Sequence, residues 1–497
     1  MSNAARDTPP LRHPDRLFID GIWVAPSNDA PIDVFTAATG ALYARVAQAN
    51  ESDIDRAVRA AREAFDDGRW SGLSHGDRAD YLRAIADEVD ARAEDIAAIW
   101  PNETGILHSV ARTFAGSVGG VYRYYAGLAQ DFAFQETRRP MTGEGVGLLV
   151  REPVGVVGAI IPWNGPISLI AWKLAPALLA GCTVVVKASP EAPGHALLMA
   201  EIVEAVGLPS GVVNVLTADR DASEALVRHP AIDKISFTGS TAAGKRIGSV
   251  MAERVGRCTL ELGGKSAGIV LDDYDIDAAA AVLAPRACLL TGQVCASISR
   301  IIVPHHRHDA MVEALADRMA KIRVGDPFDP DTRMGPLATA IHRDRVEGHI
   351  ARAISDGAKL AFGGGRPVGL DRGHFVEPTL FGHVDNRSPL AREEVFGPVL
   401  AVIAARDETH AVALANDSDF GLAGAVFTDD PDRAYAVARA VRTGTVSQNA
   451  PRIDFSIAFG GFKQSGIGRE GGHEGLLSYL ETKTILLDRA PSAAAVQ

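Results

Sequence analysis

Residues 154–187 read VGVVGAIIPWNGPISLIAWKLAPALLAGCTVVVK, and this stretch decides the fold class. Val156 to Ile161 is a short, largely β-branched run, Pro162-Trp163-Asn164-Gly165 interrupts it, a helix-length apolar segment follows, and Thr183 to Val186 is β-branched again. Strand, turn, helix and strand in that order make a βαβ unit, whose two strands lie parallel in one sheet. Downstream, Val212 to Leu216 and Lys234 to Phe237 continue the alternation. After Gly264 it resumes with Ile269 to Leu271, a predicted helix around Asp277 to Leu290, then Arg300 to Val303 and Val399 to Ile403. Upstream, Asn50 to Gly127 has helical spacing: Ile54, Val58, Ala61 and Phe65 recur on one face with Ser52 as the expected N-cap, and Leu82, Ile85 and Val89 repeat the signal. Glu136 to Val150 and Tyr479 to Leu487 alternate polar and apolar residues outside both series and are expected to be extra strands.

The chain has 497 residues, which points to two to four domains of roughly 100–200 residues each. Apolar residues at 47 % and charged residues at 23 % exclude disordered, collagen-like and coiled-coil readings of the whole chain. Fifty Lys plus Arg against 62 Asp plus Glu leave a net charge of −12 with no basic run, so neither nucleic acid nor an anionic membrane is an expected partner. Four cysteines, Cys182, Cys258, Cys288 and Cys295, are too few for a disulfide framework and fit a reducing compartment. Residues 1–15 contain no apolar run of the signal-peptide kind, and Leu174 to Val186 falls short of the roughly 18–20 residues of a membrane span; a cytoplasmic protein is expected. A short Ala-rich stretch, Ala493 to Ala495, stands near the end.

Several motifs could carry chemistry. Phe237-Thr238-Gly239-Ser240-Thr241-Ala242-Ala243-Gly244 follows a predicted strand and opens a predicted helix, where free N–H groups favour an anionic phosphate. Arg246 occupies the place of the magnesium-holding hydroxyl of a nucleoside-triphosphate loop, which rules out that reading. A tight strand-to-helix turn without a ligand is the alternative. Cys295, in Gly292-Gln293-Val294-Cys295, is either an inert free cysteine or a reachable nucleophile. Glu261 closes a mostly apolar stretch before Gly263-Gly264; burial would raise its pKa, and it is either paired structurally or a general base. Asn164 could stabilise a developing oxyanion or cap the helix that follows. No CxxC or HExxH spacing is present, so no metal is expected.

Taken together and in order, Pro162-Trp163-Asn164, Lys187, Phe237-Thr238-Gly239-Ser240-Thr241, Glu261-Leu262-Gly263-Gly264-Lys265, Gly292-Gln293-Val294-Cys295, Glu393-Glu394-Val395-Phe396-Gly397-Pro398 and Phe459-Gly460-Gly461-Phe462-Lys463 resemble the aldehyde dehydrogenase superfamily, over Phe18 to Leu487. The resemblance implies an aldehyde dehydrogenase-like α/β fold. A doubly wound dinucleotide-binding domain would comprise residues 1–130 and 152–264, a second α/β catalytic domain 265–477, and a β-arm for oligomerisation 131–151 and 478–497. It also implies that Cys295 attacks an aldehyde carbon, that Asn164 and the Cys295 N–H hold the oxyanion, and that Glu261 activates water to hydrolyse a thioester. Members that pass the acyl group to coenzyme A tend to lack a base at the Glu261 position, so an acyl-transferring relative is disfavoured, as is a catalytically idle fold.

For the cofactor, NAD ahead of NADP, the resemblance implies Ile161, Pro162, Trp163, Lys187, Glu191, Phe237, Gly239, Ser240, Gly244, Leu262, Gly263, Glu394 and Phe396. Pro190 stands where many NAD-preferring relatives carry glutamate, and Glu191 follows it. For the substrate it implies Gly165, Leu169, Trp172, Val294, Ala296 and Phe459. Gly165 is small, and the predicted helix from Leu107 to Tyr125 carries Ala115, Gly116, Ser117, Gly119 and Gly120. A roomy, apolar entrance for aromatic, terpenoid or medium-chain aldehydes is therefore expected. Arg452 is expected to be a solvated loop residue, with a substrate carboxylate as its alternative partner. An exposed arm would leave strand edges unpaired, so a homodimer or homotetramer is expected.

Overall fold

A computed structural model describes residues 8–491; Ala493 to Ala495 and the outermost ends of the first domain and of the arm lie outside the described residues. The βαβ reading of the central segment appears as strand Val156–Ile160, helix Pro166–Ala180 and strand Thr183–Ala188. These two strands join Val213–Thr217, Lys234–Thr238 and Arg257–Glu261 in an all-parallel block. Every residue of the first four is buried, as expected of strands covered by helices on both faces.

Across the sheet the strands run Val213–Thr217, Thr183–Ala188, Val156–Ile160, Lys234–Thr238, Arg257–Glu261. The chain therefore reverses its winding between Val156–Ile160 and Lys234–Thr238. A crevice opens beyond the carboxyl ends of strands at such a switch point. Antiparallel additions close the sheet: Leu17–Ile19 and Ile22–Val24 on one side, and Gly466–Ile467, from far along the chain, on the other.

A second sheet begins five residues after Glu261, at Ser266. Its strands run Lys359–Phe362, Thr379–Gly382, Val399–Ala405, Ile298–Pro304, Ser266–Val270, Ala423–Phe427 and Thr445–Gln448, all parallel except the first pair. Ser266 pairs with Ile298 at the amino ends of their strands. The carboxyl ends of the first sheet thus face the amino ends of the second. Residues 262–265 and 292–297 fill the gap between them.

A three-stranded antiparallel sheet stands apart. Leu480–Leu487 pairs along its whole length with Val146–Pro153, which pairs with Gln135–Arg138. The expected stretch from 136 to 150 is thus two strands with a turn between them, and among the described residues the outer edges of the sheet carry no partner strand.

Three local expectations are corrected. Helix Glu51–Asp66 is capped by Asn50 and not Ser52: the Asn50 side chain accepts from the N–H groups of Ser52 and Asp53, and Asp53 reaches back to the Asn50 N–H. Such a reciprocal box is worth about 1 kcal/mol. The helix predicted to reach Leu290 ends at Ala287, and a tight turn, Leu289–Gly292, follows. On helix His108–Asp131, Gly119 does not face the entrance. A Cβ there would fall 2.3 Å from Asp90 Oδ1 and 3.0 Å from the Ala86 carbonyl, so it is glycine to let this helix lie against His75–Ala91.

Candidate active site

Cys295 and Glu261 come from different sheets and meet through glycines. A Cβ on Gly264 would lie 2.5 Å from the Cys295 carbonyl oxygen, and one on Gly460 would lie 2.6 Å from Glu261 Oε1. Only glycine lets these backbones close on the two side chains. Cys295 shares an apolar cluster with Ala296, Phe459, Leu422 and Trp172, and the Trp172 and Phe459 rings meet edge-on at 5.5 Å. Val294 and Leu169 pack, as Trp172 also does, against the large apolar core around the first sheet, and Leu169 lies 3.7 Å from where a Gly165 Cβ would be.

The Cys295 thiol is pushed up to about 12, by burial first and then by the nearby Glu394 and Glu261 carboxylates; the N–H groups of Ala296 and Cys295 itself pull it partly back. At neutral pH it rests as a thiol. Glu261 is 3 % exposed and, among the described residues, neither of its carboxylate oxygens has a hydrogen-bond partner. Burial raises its pKa well above the usual carboxylate range, and the charge of Glu470 adds to this, while Lys173 and Arg469 oppose it. A buried carboxylate with both oxygens open is equipped to take a proton.

Behind Glu261 lies a polar group that sequence reasoning missed. Lys173 and Glu470 form a buried ion pair, and Lys173 Nζ also donates to Thr238 Oγ1 at 2.7 Å. Lys173 was visible as a charge at the edge of an apolar run, but its partner stands 297 residues away with no local mark.

Asn164 does not cap the helix after it; Gly165 holds that position without a side-chain cap. Its side-chain Nδ2 instead donates to the Gln293 carbonyl at 2.9 Å, and the main-chain carbonyl of Asn164 accepts from the Trp100 indole at 3.2 Å. The side chain is thereby tied to the turn that carries Cys295, and its second amide proton stays free.

On the other side of Cys295, Glu394 accepts from the Gly264 N–H at 3.0 Å, and a Cβ on Gly263 would strike its carboxylate at 2.3 Å. Burial raises Glu394 to about 7, against the pull of the Gly264 N–H, Lys265 and Arg345. Phe396 holds a left-handed backbone (φ 56°), with its carbonyl bonded by His342 Nε2 at 2.7 Å. Trp163 packs edge-on against both rings, at 5.5 Å from Phe396 and 5.3 Å from His342. His342 was not marked by any sequence motif.

At the switch point, the Gly239 N–H bonds the Glu261 carbonyl at 3.0 Å. Ser240 caps helix Thr241–Glu253, and the Thr241 hydroxyl is buried without a partner among the described residues. Gly244 is explained by packing: a Cβ would fall 2.3 Å from Leu262, which supports this first turn. Phe237, next to last in its strand, lays its ring where a Gly239 Cβ would be, and the Ile161 N–H donates to the Lys187 carbonyl at 3.0 Å. Lys187 is buried at its strand end and lowered to about 8 by burial, against the charges of Glu191 and Asp219. Glu191 itself is exposed and accepts from the Ser189 hydroxyl. A helix start with free N–H groups, an orphaned hydroxyl, a buried lysine and a buried carboxylate along one crevice fit a dinucleotide.

Among the described residues, His308, Asp309 and His383 have metal-ligand spacing, with donor atoms within 4.8 Å of one another. His308 Nε2 accepts the His383 N–H at 3.0 Å, which leaves the ring proton on Nδ1, facing Asp309 at 2.9 Å. That tautomer has no free lone pair for a metal.

Comparison with known proteins matches this geometry. The model of the aldehyde dehydrogenase family matches residues 23–485. The chain is 44 % identical over 472 residues to the geranial dehydrogenase of Castellaniella defragrans, covering 95 % of this chain and 98 % of that protein. It is 41 % identical over 481 residues to the 3-succinoylsemialdehyde-pyridine dehydrogenase of a Pseudomonas species, covering 96 % and 99 %. Among solved structures, a Mycobacterium tuberculosis aldehyde dehydrogenase complexed with NAD+ superposes with a TM-score of 0.94 at 42 % identity, covering 96 % of this chain and 99 % of that one. Aldehyde dehydrogenase C of Pseudomonas syringae, complexed with NAD+ and octanal, gives 0.92 at 39 % identity, covering 96 % and 98 %. The chain belongs to the aldehyde dehydrogenase family and is an NAD(P)-dependent oxidoreductase acting on aldehydes. No helix among the described residues is long and apolar enough to cross a membrane.

Proposed function

We propose that the enzyme oxidises a bulky or extended apolar aldehyde to its carboxylic acid, with NAD as the acceptor. The observation that carries this reading is the meeting of three groups: the half-buried Cys295 thiol against an apolar cluster, the buried Glu261 carboxylate near it with no hydrogen-bond partner among the described residues, and the Asn164 amide bonded to the turn that leads to Cys295. Cys295 loses its proton to water and its sulfur bonds the aldehyde carbon, and the oxygen that becomes negative takes hydrogen bonds from the second Asn164 amide proton and the Cys295 N–H. Bound NAD supplies the acceptor for the hydride that leaves as the carbon–oxygen double bond re-forms, and the acyl group stays on sulfur as a thioester. Glu261 then takes a proton from water, whose oxygen attacks the thioester carbon; the carbon–sulfur bond breaks, the Cys295 sulfur takes the proton held by Glu261, and the acid leaves as its carboxylate after losing a proton to solvent.

Trp163, His342 and Phe396 would wall the nicotinamide side, Glu394 would bind its ribose, and Gly239, Ser240 and Thr241 would meet the diphosphate. Lys187 would meet the adenosine ribose. The Glu191 and Asp219 carboxylates beside Lys187 oppose a 2′-phosphate, which favours NAD over NADP.

The entrance supports the apolar substrate. Gly116 has nothing within 4 Å of its Cβ position, and Gly120, one turn on, has only Phe455 Cζ at 3.7 Å. Phe114, Ile453 and Ile457 are exposed around it. The geranial dehydrogenase resemblance and the octanal complex of a relative favour the same class. Arg452 stays exposed, with its backbone bonded to Ser447. The unpaired edges of the arm, together with the open edge at Thr445–Gln448, support a homodimer or homotetramer joined edge to edge.

The test is reduced-cofactor absorbance with an aldehyde panel. Wild type should turn over citral-like and medium-chain aldehydes with NAD, Cys295→Ala should give no signal, and Glu261→Gln should give one equivalent of reduced cofactor and then stall. Sustained turnover by Cys295→Ala would sink the mechanism, and a steep preference for acetaldehyde would sink the substrate class.

A further inference from the structure

Gln293 has no place in the chemistry above, yet its side chain is fully buried and every polar atom of it is used. Nε2 donates to the Leu290 carbonyl at 2.8 Å and to the Thr104 carbonyl at 3.3 Å, and Oε1 accepts the Ala338 N–H at 2.9 Å. These partners belong to three separate segments: the turn before Cys295, the end of helix Ala93–Thr104, and the loop leading to helix Ala340–Ser355.

The turn needs holding. Leu290, Thr291 and Gly292 are three consecutive left-handed residues, with φ of 47°, 55° and 74°, and two of them carry a Cβ that disfavours this conformation. Thr291 helps by donating its hydroxyl to the Gly335 and Pro336 carbonyls. The main chain of Gln293, fixed by its own side chain, then presents its carbonyl to Asn164 Nδ2 at 2.9 Å.

From this we infer that Gln293 is a positioning residue for the oxyanion site. Its side chain staples three segments, so that its carbonyl binds one proton of the Asn164 amide and leaves the second aimed at the substrate oxygen. The inference rests on the role proposed for Asn164. The orientation is set by polarity and not by shape: an ionised glutamate of the same size would place a negative oxygen against two carbonyls.

The experiment is a double-mutant cycle on the pre-steady-state rate of reduced-cofactor formation, using Gln293→Glu, Gln293→Met and Asn164→Ala, singly and combined. Melting midpoint, cofactor affinity and the rate of Cys295 alkylation are recorded alongside. Asn164→Ala is expected to slow the step about 10²–10³-fold, as loss of one oxyanion donor does. Gln293→Glu at neutral pH is expected to slow it about 10²-fold, the effect of a small displacement of a reacting group, with KM changed little.

If Gln293 acts through Asn164, neither Gln293 variant slows the reaction further in the Asn164→Ala background. Gln293→Glu should also recover part of the deficit relative to wild type as pH falls, because its protonated carboxyl can again donate, whereas Gln293→Met should not. Full additivity with Asn164→Ala overturns the inference and leaves the Asn164 role standing. An Asn164→Ala variant as fast as wild type overturns both. Should Gln293→Met not fold, the cycle is read on the isosteric Gln293→Glu alone.

Discussion

Replacing Glu103 by glutamine should stabilise the protein, and by an amount that grows with pH. Glu103, next to last in helix Ala93–Thr104, is 2 % exposed and uses one oxygen to accept the Gly194 N–H at 2.9 Å; the other oxygen is buried with no partner among the described residues. No cation offsets this burial, and the carboxyl is raised from 4.5 to about 8. Below pH 4.5 the folded and unfolded chains both carry the proton, and the group costs nothing. Between 4.5 and about 8 the folded chain keeps a proton that the unfolded chain has lost, so stability declines as pH rises, and the full cost is reached above the folded value. At about 1.4 kcal/mol for each pH unit, some 2.5 units up to pH 7 amount to about 3 kcal/mol. Glutamine keeps the acceptor for Gly194 and cannot ionise. Any fixed penalty for burying its NH2 shifts the comparison equally at every pH and leaves the slope untouched.

With an unfolding entropy of about 2.1 cal/mol/K per residue, a chain of 497 residues gains about 1 °C in melting midpoint for each kcal/mol. Scanning calorimetry at one protein concentration and one scan rate should therefore show the variant's midpoint rising relative to wild type by about 3 °C between pH 4.5 and 7. A difference that is flat with pH, or that shrinks as pH rises, would refute the reasoning.

Other outcomes follow from the site and its surroundings. Because Lys173 lowers and Glu470 raises the pKa of Glu261, Lys173→Met should move the acid limb of the kcat profile to higher pH and Glu470→Gln should move it lower; shifts in the same direction would contradict the assignment. In wild type, kcat should fall as pH drops, since the raised Glu261 then becomes protonated and cannot act as a base. Gly120→Leu should narrow the entrance and lower kcat/KM for long-chain aldehydes more than for short ones, measured over a chain-length series. Gly119→Val, pressing on Asp90 and Ala86, should instead lower the melting midpoint, at a cost of about 1–3 kcal/mol, without altering that selectivity.

The sequence by itself determined the alternation of strands and helices, and with it the parallel sheet and the order of the motifs, whereas the switch point came only with the order of the strands across the sheet. These are properties of short windows: β-branched runs of strand length, apolar segments of helix length, and glycines at the turns between them. It also marked Cys295, Glu261 and Asn164, since their residue types sit in recognisable local frames. What it left open in each case was a choice between a structural and a chemical role, and that choice is made by neighbours far along the chain.

Asn164 reads locally as a helix cap, and only the approach of the turn before Cys295 gives its amide a different partner. Lys173 and Glu470 meet because one helix and one late loop pack together, so no window contains the pair. Gly119 and Gly120 are adjacent in sequence, yet one is pressed against a neighbouring helix and the other has only Phe455 near its Cβ position, because successive residues on a helix point about 100° apart. The protonation of the thiol and of Glu261 belongs wholly to the tertiary structure. Burial and the nearest charges set a pKa, and both exist only once the two sheets have closed on each other.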